Sequence, residues 1–159
     1  MGQQQLLLVI LVTIIVGIAT VVAINIFGTA SDQANKDAIR QDLLTAASQV
    51  QAIYARPVLM GGAGRDIAEN LSQAEVAQLT QIPGVINGAV IDNDNAEYEV
   101  TTLGAASVTM TATAKGSNAE SDWTMTVNDT DADGIWNISI TDADGNVSEV
   151  NPTEDATTD

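Results

Sequence analysis

Carboxylates are the most abundant chemistry-bearing groups in this 159-residue chain, and their spacing points first to a cation. The run Asp129-Thr130-Asp131-Ala132-Asp133-Gly134 places side-chain oxygens at alternate positions ahead of a glycine. That is the first half of a calcium loop, in which ligands at positions one, three and five precede a sharp turn. The second half departs from the pattern, because the twelfth position is Ile140 instead of a bidentate glutamate, so an EF-hand is not expected. Asp142, Asp144 and Asn146 would add ligands from an adjacent hairpin. Asp, Asn and Gly are equally the residues of ordinary β-turns, so calcium binding and plain turns both remain open.

Other site chemistry is thin. Gly61-Gly62-Ala63-Gly64 is expected to form a flexible loop, and it lacks the preceding strand and the Gly-Lys-Ser/Thr ending of a phosphate loop. Paired carboxylates serve glycosidases and two-metal hydrolases, but chance pairs are expected on so acidic a surface and no deep pocket is implied. The chain has no Cys and no His, which excludes disulfides, thiolate chemistry, Cys/His zinc sites and imidazole catalysis. No catalytic residue is assigned, the protein is not expected to be an enzyme, and no cofactor is expected apart from calcium.

Charge narrows the partners. The five basic residues are Lys36, Arg40, Arg56, Arg65 and Lys115, and the net charge is −16, with 18 of 21 acidic residues from Asp66 onward. Such a polyanion repels phosphate backbones and anionic headgroups, so no nucleic-acid partner is expected for this part of the chain.

The elements that would position these groups begin with an apolar run. From Leu6 to Phe27 there is no charged side chain. About 20 apolar residues in a helix suffice to cross the hydrocarbon layer of a membrane. A secretory signal is a poorer fit, because no Lys or Arg precedes the run and its apolar core is too long. From Thr29 to Arg56 the pattern becomes amphipathic: Ile39, Leu43, Ala46/Ala47, Val50 and Ile53/Tyr54 recur at steps of three and four. One nearly continuous helix is predicted from about Gln4 to Arg56, roughly 75 to 80 Å long, ended by Pro57 and weakest at Gly17 and Gly28. Ser72-Gln73-Ala74-Glu75 has the form of a capping box and predicts a short helix over 73–81.

Beyond Val85 the period changes to two. Val108, Met110, Ala112 and Ala114 alternate with threonines, as do Trp123, Met125 and Val127, and Ile138 and Ile140 continue the rhythm. Turn signals at 92–95, 104, 115–118, 129–134 and 144–145 predict an antiparallel meander of four to six strands. The fold class is therefore α+β: a long N-terminal helix, apolar in its first half and amphipathic in its second, packed on a small antiparallel sheet. The predicted organisation is two residues ahead of a transmembrane helix over 3–28, an amphipathic stem over 29–56, and a loop and short helix over 57–84. The sheet head covers 85–151 and an acidic tail 152–159.

This organisation resembles the type IV pilin and pseudopilin superfamily, and Gly2-Gln3-Gln4-Gln5-Leu6-Leu7-Leu8 carries the likeness at sequence level. The resemblance implies that residues 1–2 are a leader, cleaved after Gly2 by a prepilin peptidase to leave Gln3 as the new N-terminus of a filament-core helix over 3–28. It also implies a membrane stage, then recruitment by pilus assembly machinery into a cell-surface homopolymer. The filament core would be formed by Leu6, Leu7, Leu8, Ile10, Leu11, Ile14, Ile15, Val16, Ile18, Val21, Val22, Ile24 and Phe27. Calcium near the C-terminal sheet is familiar in some pseudopilins. The likeness has a gap: the family's fifth mature residue is a glutamate that pairs with a neighbour's amino group, and Leu7 stands there. Gln3, Gln4 and Gln5 would supply amide donors and acceptors in its place, or simply end the span at a polar interface. A filament subunit is expected. A pseudopilin of a secretion apparatus and a non-polymerising single-pass protein with an acidic head are the alternatives.

Overall fold

The computed structural model describes residues 2–115, 122–129 and 136–150. Helix α1 runs over Gly2–Ala55, close to the predicted 4–56. The chain divides into two compact units, Met1–Asn35 and Lys36–Asp159, and α1 contributes to both.

Residues 2–31 of α1 are exposed on all sides, and no charged residue occurs before Asp32. Its threonines do not leave hydroxyls unpaired. Thr13, Thr20 and Thr29 donate to the carbonyls of Val9, Val16 and Asn25 one turn earlier. This back-bonding satisfies the hydroxyls within the helix itself.

In the second unit the amphipathic stretch of α1 buries Ile39, Leu43, Ala46, Ala47, Val50 and Ile53, the stripe expected from the three- and four-residue steps. Pro57, extended at φ −60° and ψ 148°, ends the helix and opens a single 3-10 turn, Val58–Met60. Gly61 to Gly64, expected as a flexible loop, is instead tied to the helix end. Ala63 N–H donates to Ile53 O at 2.9 Å, Gly64 N–H to Arg56 O at 2.9 Å and Arg65 N–H to Tyr54 O at 3.1 Å. These bonds occupy carbonyls that a helix C-terminus otherwise leaves without partners. Gly62 is required for the approach, since a Cβ there would lie 2.3 Å from Arg56 O.

Two short helices follow, α2 (Ile67–Asn70) and α3 (Gln73–Leu79). Asp66 caps the first through Glu69 N–H, and the predicted Ser72/Glu75 capping box caps the second. Among the described residues the sheet has seven antiparallel strands in sequential order: β1 (Val85–Asn87), β2 (Val90–Asp92), β3 (Ala96–Gly104), β4 (Ser107–Ala114), β5 (Asp122–Asn128), β6 (Asn137–Thr141) and β7 (Val147–Val150). The meander is thus longer than the four to six strands expected. One face carries Tyr98, Val100, Val108, Met110, Trp123, Met125, Val127 and Ile140, all in one buried cluster with the stripe of α1. The other face is polar, with registered rows such as Glu99, Thr111, Thr124 and Thr141 across four strands. A register shift between Val100 and Thr102 marks a bulge in β3. Tyr54 of α1 meets Trp136 edge-on, with ring centroids 5.0 Å apart.

Candidate functional site

The side chains predicted to form a filament core, Leu6, Leu7, Leu8, Ile10, Leu11, Ile14, Ile15, Val16, Ile18, Val21, Val22, Ile24 and Phe27, are between 49% and 78% exposed. They lie on a helix long and apolar enough to cross a membrane. Water is a poor environment for such a surface, and lipid or other apolar helices are good ones. Asn25 is the side chain in this stretch that sequence reading passed over: an amide amid apolar neighbours, one turn before Thr29. Gly2 and Gln3, the expected processing site, occupy the first positions of α1.

The amphipathic half of α1 is held to the sheet by polar contacts as well as packing. The Tyr98 hydroxyl donates to Asp42 Oδ2 at 2.7 Å, and Asn93 Nδ2 donates to the same oxygen at 3.2 Å. Burial, reinforced by the hydrogen bond to Asp42, pushes the Tyr98 phenol far above the ordinary tyrosine range, so it remains a donor. Further along the sheet, Arg40 Nη2 donates to Ser148 Oγ at 2.7 Å, and Lys36 lies 3.9 Å from Asp144 Oδ2. The sequence singled out none of these pairs, because polar contacts from one element to a distant one leave no periodic trace.

The predicted calcium ligands are distributed unevenly. Asp131 and Asp133 lie outside the described residues. Asp129 is 7% exposed, its N–H donates to Ala106 O at 3.0 Å, and its Oδ1 has no hydrogen-bond partner among the described residues. That oxygen is a free buried acceptor of the kind a cation satisfies. Asp142 is committed elsewhere. Its Oδ1 accepts from Asn146 N–H at 2.8 Å and Asp144 N–H at 3.0 Å, and its Oδ2 from Asn146 Nδ2 at 3.1 Å. The Asn146 backbone bond is the main reason its carboxyl is held below the usual range, with the Asn146 side chain, the Asp144 amide and the Lys36 charge adding to it. Asp142 therefore organises the β6–β7 turn, and Asp144 faces Lys36. Among the described residues no group of three or more carboxylates is placed to hold a metal ion.

In comparisons with known proteins, no family model, no curated protein and no solved structure matches this chain.

Proposed function

We propose that this chain is the structural subunit of a type IV pilus-like filament. The first part of α1 rests in a membrane before assembly and packs against the same helix of other copies afterwards, leaving the acidic heads outward. One observation carries the reading. From Leu6 to Phe27 the helix exposes a continuous apolar surface without charge, while the continuation of the same helix is the core of a folded head. A bundle of such helices supplies each copy with the apolar surroundings it loses on leaving lipid. Repetition of one head-to-tail contact then propagates without closing. Removal of Met1-Gly2 by a prepilin peptidase would start the mature chain at Gln3. Amides at Gln3, Gln4, Gln5 and Asn25 would supply between helices the polar contacts that Leu7 cannot.

The test is electron microscopy of material sheared from native cells, with mass spectrometry of the N-terminal peptide. Thin fibres containing this chain and beginning at Gln3 are expected. An intact chain confined to membranes and absent from fibres would overturn the proposal in favour of an anchored monomer. Confinement to a short envelope-bound structure would indicate a pseudopilin.

A further inference from the structure

Where α1 ends, the head presents an apolar knuckle that the head itself does not use. Val58, Leu59 and Met60 are 51%, 101% and 73% exposed. They project from a rigid base, since the residues on either side are hydrogen-bonded to the last turn of α1 through Ala63, Gly64 and Arg65. Arg56 and Arg65 flank the knuckle. Both are exposed, and among the described residues neither guanidinium has an ion-pair partner. Two unpaired arginines beside three exposed apolar side chains are conspicuous in a protein of net charge −16.

A surface of complementary character lies elsewhere on the head. A cleft of about 470 Å³ is lined by Pro83, Gly84, Val85, Asp92 and Asp94, among others. Its wall includes Val85, which is 74% exposed at the edge of the sheet, and its rim carries the exposed Asp94, which has no ion pair among the described residues. Asp92 is held by Lys115. The cleft therefore offers apolar contact and residual negative charge, and the knuckle offers apolar contact and positive charge. The two cannot meet within one chain. Asn93, beside the cleft, bonds Asp42, and from Asp42 to Ala55 α1 rises roughly 20 Å before the knuckle begins.

We propose that the Val58–Met60 knuckle of one copy docks in the Pro83–Asp94 cleft of a second copy, with Arg56 and Arg65 facing Asp94. The occupant is another copy because charge and apolar character match on both sides. The same positive knuckle on a strongly acidic molecule is poorly suited to an anionic bilayer. A contact between two different patches is heterologous, so it repeats without closing. The inference deepens the filament reading by adding a contact between neighbouring head domains to the helical one, and rests on that reading for its open-ended repeat.

Because the chain has no cysteine, paired thiols report the contact directly. In full-length protein in native membranes and fibres, Leu59→Cys combined with Val85→Cys should give a ladder of disulfide-linked multimers after mild oxidation. Either substitution alone should give dimers at most. Adding Asp94→Arg should abolish the ladder, and adding Arg56→Glu with Arg65→Glu to that variant should restore it. Fibres of normal appearance without a ladder would overturn the docking and leave the filament reading intact. A ladder from membrane-bound protein without fibres would support the docking and count against the filament. Efficient dimers from Leu59→Cys alone, with no ladder from the pair, would assign the knuckle to a symmetric contact and overturn the proposal. So would protection of the single Leu59→Cys thiol from aqueous maleimide by lipid vesicles when no ladder forms.

Discussion

The contact between Asp42 and Tyr98 should behave as a coupled unit, with a size set by what each truncation leaves behind. Tyr98→Phe removes a hydroxyl that lies 2.7 Å from Asp42 Oδ2. Asp42 keeps Asn93 Nδ2 at 3.2 Å and is only half-buried, so water can replace the lost donor. The cost should therefore fall at the low end for a hydrogen bond to a charged group, about 1.5 kcal/mol. Asp42→Ala is worse locally, because Tyr98 is fully buried and its hydroxyl would have no acceptor, while the Asn93 amide would retain Pro83 O at 3.2 Å. Stranding a buried hydroxyl costs about 1–3 kcal/mol, offset by several tenths for placing alanine in a helix. The double variant removes both partners. It should be destabilised by about as much as one single variant instead of their sum, a coupling of about 1.5–2 kcal/mol.

The assay is denaturant unfolding of the full chain in detergent, followed by tryptophan fluorescence. Trp123 and Trp136 both belong to the head, so the signal reports the head alone. Additivity of the two single variants within about 0.5 kcal/mol would refute the view that this hydrogen bond clamps α1 to the sheet.

Three further outcomes are expected. Val16→Asp should abolish fibres or membrane integration while leaving the fluorescence unfolding curve of the head unchanged, because an unpaired carboxylate in an apolar bundle is costly and Val16 is no part of the head core; normal fibres would exclude a buried helical core. If Asp129 and its neighbours bind calcium, millimolar calcium should raise the head's melting temperature and a chelator should lower it, whereas an unmoved curve would leave these residues as turns. Tyr98 has its pKa raised in the folded state, so its contribution to stability is intact below the ordinary tyrosine pKa of about 10 and is lost as pH rises beyond it; the steeper alkaline fall of the parent relative to Tyr98→Phe is measured by pH-dependent unfolding.

What the sequence made legible follows from period. Ile39, Leu43, Val50 and Ile53 announced the buried stripe of α1, and the Thr-Met-Thr-Ala alternation announced β4, because one face of each element is buried and the other is wet. Strands β1 and β2 have three residues each and β7 four, too short for alternation to register. Their pairing is set by neighbours in the sheet. The glycine-rich segment was misjudged for a related reason. Gly62 marks close approach to Arg56, not freedom, and only the location of the helix end distinguishes the two. Exposure at Leu59 was likewise illegible, since Val-Leu-Met reads as core in any linear scan.

Helix α1 presents two apolar surfaces, one in each compact unit. Its Ile39–Ile53 stripe is buried inside the head. The earlier segment exposes sixteen large apolar side chains between Leu6 and Phe27. At about 1.5 kcal/mol for each one buried, that surface corresponds to roughly 24 kcal/mol of unfavourable hydration, above the whole stability of a small domain. Such a surface is stable in lipid or among copies of itself, and the transfer between these two environments exchanges one apolar contact for another. Hydrophobicity therefore does little to favour fibre over membrane. The balance falls to packing between helices and to contacts between heads, where an acidic surface opposes association and any favourable contact must be local and charge-matched. In the proposed docking, Arg56 and Arg65 beside Leu59 meet that requirement.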